Sequence, residues 1–175
     1  GVKRFISRAL LAALCAVSLS ACISSTAPIL TDAQPVLGPN LNLQFYTLRK
    51  GYASDPDRAR FTWNGTRYVH TGGGMTDVSG FTVHPFAQDR YIVQSVSAKE
   101  PHLAEYALLY RLADGVYRAV VIDEADADEA TRAAHCRHPG GAACRIEMRD
   151  ALMAFARATD KRRSDDGGLA IRLAD

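Results

Sequence analysis

The chain has 175 residues, 47% of them hydrophobic, with 21 lysines and arginines against 19 acidic side chains; this length allows one domain with a sizeable core. Three of the basic residues, Lys3, Arg4 and Arg8, fall in the first 21 positions, which hold no acid, so residues 22–175 carry 18 basic against 19 acidic groups. A body this close to neutral excludes nucleic acid as an expected partner, because phosphate binding needs a basic surface.

The basic start leads into an eleven-residue apolar run, Ala9 to Leu19, "ALLAALCAVSL", followed by small residues. That pattern predicts a secretory signal peptide over 1–21. The run is too short for a transmembrane helix, which needs about 20 apolar residues. It stops on Leu19-Ser20-Ala21-Cys22, which resembles the lipobox of bacterial lipoproteins: a leucine, two small residues and a cysteine. The resemblance covers Val2 to Cys22. It implies cleavage before Cys22, a diacylglycerol on the Cys22 sulfur and an acylated amino group. The partner it implies is therefore a membrane, held through Cys22; a single acyl chain would anchor only marginally, several hold firmly. Ile23 stands where some lipoproteins carry the aspartate that keeps them at the inner membrane. It points to the outer membrane, facing the periplasm.

Ile23 to Pro39, "ISSTAPILTDAQPVLGP", has three prolines and no periodicity. It reads as a tether, so that 22–40 is a lipidated linker and 41–175 a single domain. As a flexible coil the linker would span roughly 20–25 Å. From Leu41 the period is two: Leu41, Leu43 and Phe45 alternate with polar neighbours, as in a strand. In "RFTWNGTRYV", Asn64-Gly65 predicts a two-residue turn that pairs Trp63 with Thr66 and Phe61 with Tyr68. Phe61, Trp63 and Tyr68 would then share one buried face. Gly72-Gly73-Gly74 reads as a loop. Further hairpins are expected at 80–86 with 90–97, and at 105–112 with 116–122 around Asp114-Gly115.

After Ile122 the pattern becomes helical. "DEADADEATRAAHC" opens with acids, as a helix dipole prefers; the same acids lack the glycine and glutamate spacing of a calcium loop. Met148, Ala151, Leu152, Phe155, Ala156 and Thr159 recur at helical spacing. Leu169, Ile171 and Leu173 alternate as a last strand. The expected class is α+β: an antiparallel β-meander of hairpins, then two helices, then a C-terminal strand.

Beyond Cys15 and Cys22, only Cys136 and Cys144 remain, in "CRHPGGAAC". In an oxidising compartment they have one possible pairing, and the turn residues between them favour it. A disulfide closing about nine residues would contribute roughly 2.5 kcal/mol. Zinc is the competing reading, since His135 and His138 flank Cys136, but the spacing fits metal sites poorly. No metal and no cofactor is expected. Arg111 and Arg118, placed opposite each other by the Asp114-Gly115 register, are candidates to hold an acidic partner or simply point into water. Lys161-Arg162-Arg163 reads as charge at a helix C-terminus.

No catalytic motif is present, and a triad of Ser79, His84 and Asp89 has no support in spacing. The leading expectation is a non-enzymatic envelope lipoprotein that binds or scaffolds another envelope component. The alternatives are a lipoprotein binding a small or lipophilic molecule through its aromatic hairpin faces, and an envelope hydrolase using His84 or His102.

Overall fold

A strand with alternating apolar residues must bury one face and pair the backbone groups along both of its edges. The chain meets both demands by closing a barrel. The computed structural model describes residues 22–49, 52–53, 55–74, 78–141, 143–162 and 168–174; the expected signal peptide lies outside them. Among the described residues the strands are β1 (Ser24–Ser25), β2 (Asn40–Arg49), β3 (Tyr52–Ala53), β4 (Asp57–Trp63), β5 (Tyr68–Gly73), β6 (Val78–Ala87), β7 (Arg90–Ser97), β8 (Ala104–Ala113), β9 (Val116–Val121) and β10 (Leu169–Ala174). The helices are α1 (Glu129–His135) and α2 (Arg149–Lys161), with short 3₁₀ turns at Glu124–Asp126 and Pro139–Gly141.

Around the barrel the order is β8, β7, β6, β5, β4, β2, β10, β9, and β9 pairs back with β8. This closed eight-stranded antiparallel barrel corrects the expected α+β meander. The last strand is no appendage. Leu169 to Ala174 pair with Thr47 to Asn42 of β2 on one side, and Leu169 to Arg172 pair with Ala119 to Val116 of β9 on the other. Without β10, both β2 and β9 would show an unpaired edge. The helices are an outer layer inserted between β9 and β10.

The expected tether is corrected in part as well. Ile23 is fully buried and Leu30 nearly so. Ser24 N–H donates to the Cys144 carbonyl (3.0 Å), and Ile146 N–H donates to the Ser24 carbonyl (2.8 Å). Further along, the Tyr68 hydroxyl donates to the Gly38 carbonyl (2.8 Å) and accepts from Leu37 N–H (3.1 Å). A free coil is therefore not what links Cys22 to the barrel.

Turn chemistry moved the register of the β4–β5 hairpin. Trp63 pairs with Tyr68, and Phe61 with His70, so Asn64–Arg67 form a four-residue loop. Asn64 Oδ1 accepts from Thr66 N–H and Arg67 N–H, both at 3.0 Å, an Asx arrangement that outcompetes the two-residue turn. The shift is two residues, so Phe61, Trp63 and Tyr68 still share a face. Gly72 and Gly73 extend β5 instead of forming a loop, opposite Arg60 and Ala59. A Cβ on Gly73, whose φ is +94°, would lie 2.6 Å from the Arg58 carbonyl oxygen, so glycine is required there.

The outer layer covers β7, β8 and β9. Ala151, Leu152, Phe155 and Ala156 of α2 join Ile92, Leu108 and Tyr110 in one buried cluster. Asp160 secures the helix end by accepting from the Tyr110 hydroxyl (3.0 Å) and pairing with Arg90. Met148, expected on the buried stripe, precedes the helix and is 64% exposed. Phe155→Ala should therefore lower the unfolding free energy by about 3–5 kcal/mol, through lost burial and the cavity left behind. Met148→Ala should change it by no more than about 0.5 kcal/mol. Urea unfolding of both variants checks this; equal losses would mean that α2 is not docked by Phe155.

Candidate functional site

Side chains that alternate inward from the barrel strands meet in the lumen, together with Leu37 from the segment before β2. They do not fill it. A cavity of about 110 Å³ remains, walled by Leu43, Phe61, Val83, Val93, Leu109 and Ile171 among others, with Ser95 and the Tyr117 ring among its few polar residues. One wall is aromatic: the Phe61 and Phe81 rings meet edge to face at 4.9 Å, and Tyr68 stacks on Phe81 at 5.0 Å. Behind Phe61, with ring centroids 5.4 Å apart, stands His70; its Nε2 is buried with no hydrogen-bond partner among the described residues. Among the described residues the seam between β5 and β6 is the shortest of the barrel, with Tyr68↔Phe81 and Val69↔Gly80 paired.

Arg111 and Arg118 do not face each other. A bulge between Arg111 and Ala113 throws Leu112 out to solvent and sets Arg111 opposite Tyr117, and Tyr110 opposite Arg118. The two arginines therefore lie on opposite faces of β8 and β9. Arg111 sits at the lumen rim, paired with Asp114 and, at 3.6 Å, with Asp89. Its neighbour Tyr117 has its hydroxyl pKa raised, first by burial and then by the nearby Tyr91. Arg118 is buried on the outer face. The two therefore do not form the joint surface that the expected register would have offered an acidic partner.

On the outside of β6, β7 and β8 a polar chain clamps the segment after Cys22. Gln94 grips the Leu30 backbone with both ends of its amide, accepting from Leu30 N–H (2.8 Å) and donating to the Leu30 carbonyl (3.0 Å). The Tyr106 hydroxyl lies 2.6 Å from Ser25 Oγ and donates to Gln94 Oε1 (3.3 Å). Gln94 also donates to Thr82 Oγ1 (3.3 Å), which hydrogen-bonds His84 Nε2 at 2.7 Å. Sequence reading passed over Gln94. Its signal was a lone amide inside the apolar run "RYIVQSVS", which predicts a buried group in need of partners.

Among the described residues, the partners of Ser79, His84 and Asp89 do not join them into a triad. His84 is spent on Thr82, Ser79 Oγ donates to the Val96 carbonyl (3.1 Å), Asp89 faces Arg111, and His102 is exposed in a turn. Of the acid run, Asp128 Oδ1 caps α1 by accepting from Thr131 N–H (2.7 Å), and Asp123 Oδ1 caps the 3₁₀ turn through Ala125 N–H (2.8 Å). Lys161 and Arg162 end α2; Arg163 lies outside the described residues. Cys136 and Cys144 form the disulfide, with Cα atoms 5.0 Å apart.

Burial, and then the positive charge of Arg149, hold the His84 pKa below the ordinary histidine value. The unfolded chain binds that proton more readily, so the associated stability is complete above about pH 6.5 and falls as pH drops through that value. Unfolding free energy should therefore decline from about pH 7.5 to about pH 5.5, and His84→Gln should flatten the decline. Equal slopes for the two proteins would remove His84 as its source. No protein-family model, no curated protein and no solved structure matches the chain.

Proposed function

We propose that this chain is a non-enzymatic envelope lipoprotein that holds one small apolar molecule, or a single hydrocarbon chain of a larger one, inside its barrel. The observation that carries this reading is the unfilled apolar lumen of about 110 Å³. An eight-stranded barrel is just wide enough to be filled by its own side chains or to take one small ligand. Here the side chains leave space, and nearly all of the lining is apolar. The volume is well below the roughly 300–1,000 Å³ of sites for drug-sized molecules. It is close to the about 150 Å³ of an apolar cavity that stays dry and takes up benzene. A ring or one narrow chain is the class of ligand this size accepts.

The barrel's polarity separates this reading from a membrane-spanning one. Spanning barrels turn apolar side chains outward and polar ones inward. In this barrel the lumen is apolar, and Arg58, Arg60 and Arg172 are exposed on the outside. Among the described residues no helix is long and apolar enough to cross a membrane. Membrane attachment in this proposal is through lipid on Cys22. The burial of Ile23 and the pairing of Ser24–Ser25 with β8 leave almost no spacer, so the anchored barrel would sit directly against the bilayer.

An apolar naphthalene-type dye that fluoresces on leaving water reads out the lumen. It should bind the purified domain and be displaced by a small aromatic hydrocarbon or by a fatty acid. Ala107→Phe and Val93→Phe each place a ring in the cavity and should weaken binding about tenfold or more, since a filled lumen leaves no site. Melting temperature reports whether each variant still folds. Unchanged dye affinity in both folded variants would place the dye on the outer surface and leave the scaffold reading.

For the anchor, Cys22→Ser should abolish lipidation and the cut before residue 22. Mass spectrometry of the mature N-terminus decides it: an unacylated terminus at any other residue in the unaltered protein would remove the lipoprotein reading.

A further inference from the structure

The geometry points to a second site, independent of the lumen: we propose that Glu124, Cys136, His138 and Cys144 form a zinc site that the disulfide holds closed and that reduction opens. Glu124 is only 8% exposed, which is unusual for a glutamate in a 3₁₀ turn. Its Oε2 shares a hydrogen bond with His138 Nε2 at 2.9 Å and lies 3.5 Å from Cys136 Sγ. These three ligand atoms are all within 4.8 Å of one another. Cys144, fully buried, supplies a fourth through its bond to Cys136. His138 is half exposed, so an ion can reach the cluster from solvent.

The backbone holds this cluster together by means other than the S–S bond. Arg137 and Arg145, each one residue inside or outside the closed loop, exchange N–H···O bonds of 3.1 and 2.6 Å. The Cys144 carbonyl accepts from Ser24 N–H (3.0 Å), and Cys136 N–H donates to the Arg132 carbonyl (2.8 Å) to end α1. Both sulfurs thus stay near Glu124 and His138 when the disulfide opens. Gly140, at φ +61°, lets the loop between them adjust.

The donor chemistry selects the ion. Two thiolates, an imidazole nitrogen and one carboxylate oxygen make a four-coordinate set of the kind zinc takes. Calcium and magnesium would require mostly oxygen. In the disulfide neither sulfur is a thiolate, so the site is closed to metal. A dithiol opens it. One thiolate of the reductant attacks Cys136 Sγ, the less buried sulfur, and the Cys136–Cys144 bond breaks. Cys144 leaves as a thiolate and takes a proton. The second thiol of the reductant then attacks the mixed disulfide and releases Cys136, and the reductant departs as its cyclic disulfide. Two electrons have passed to the protein. Zinc binding then displaces the two thiol protons into solvent.

The test uses the whole domain, oxidised or reduced with a dithiol that is then removed under anaerobic conditions. Cobalt(II) is the spectroscopic probe. Reduced protein should show a thiolate-to-cobalt charge-transfer band with the visible bands of a tetrahedral ion, and zinc should abolish them. Oxidised protein should show neither. Glu124→Gln and His138→Ala should each weaken zinc binding by about tenfold or more, as losing even an outer partner of a zinc ligand does. Circular dichroism follows the fold. If the reduced chain loses structure, zinc should restore it in the unaltered protein and not in the two variants. Absence of the charge-transfer band, equal affinity in both variants, or failure of zinc to restore a reduced fold overturns the proposal. Dye binding by the oxidised protein is read separately, so failure of this site and failure of the lumen reading are distinguishable.

Discussion

Every strand edge in this protein must find a partner, and the six residues of β10 decide whether it does. They fill the gap between β2 and β9, the two strands farthest apart in the chain order of the sheet. An open sheet with these two edges exposed would leave rows of N–H and C=O groups ready to pair with another chain. Closure removes the edges and creates an inside. The lumen, its aromatic wall and its residual space all exist because β10 returns to the sheet after the helical excursion.

The outer layer depends on the same closure. Once curved, the outer face of β7, β8 and β9 carries an apolar stripe of its own: Ile92, Leu108 and Tyr110. α2 covers it with Leu152 and Phe155, and the segment Ile23–Leu30 covers the adjoining ground. Burying that segment hides backbone groups that need hydrogen bonds. Gln94 and Tyr106 supply them, which explains two polar side chains in the middle of otherwise apolar strands. The clip between Cys136 and Cys144 lies on the same side and ties α1 to Ser24 through backbone bonds. The start of the described chain, the clip and α2 thus form one surface of the molecule, with the lumen separated from it by the wall of the barrel.

This division assigns different chemistry to different layers. The lumen is nearly without polar groups, so it can discriminate by size and shape but not by charge. The outer layer holds the sulfur, imidazole and carboxylate groups that meet at the clip. A ligand in the lumen and an ion at the clip would act through separate contacts, with β8 and β9 as the elements common to both.

Alternation along the chain was enough to locate most barrel strands, to place Phe61, Trp63 and Tyr68 on one face, and to pair Cys136 with Cys144. These are properties of neighbouring residues: a period of two, a helical spacing, two cysteines with one pairing left. Closure was not legible, because pairing Leu169 with Thr47 spans more than a hundred residues and leaves no mark on the local pattern of either strand. Registers failed where a side chain competed with the turn backbone, as Asn64 does, or where one residue bulged, as Leu112 does between Arg111 and Ala113. Spacing rules likewise hid Glu124 from Cys136 and His138, because folding brings that carboxylate to the clip from the turn before α1. Composition and periodicity by themselves determined a near-neutral body carrying several stretches of period two, after a basic and then apolar stretch of sequence. Only the tertiary structure decided that the sheet closes, that its interior keeps a space, and which polar groups meet outside it, because each of these depends on contacts between residues far apart in the chain.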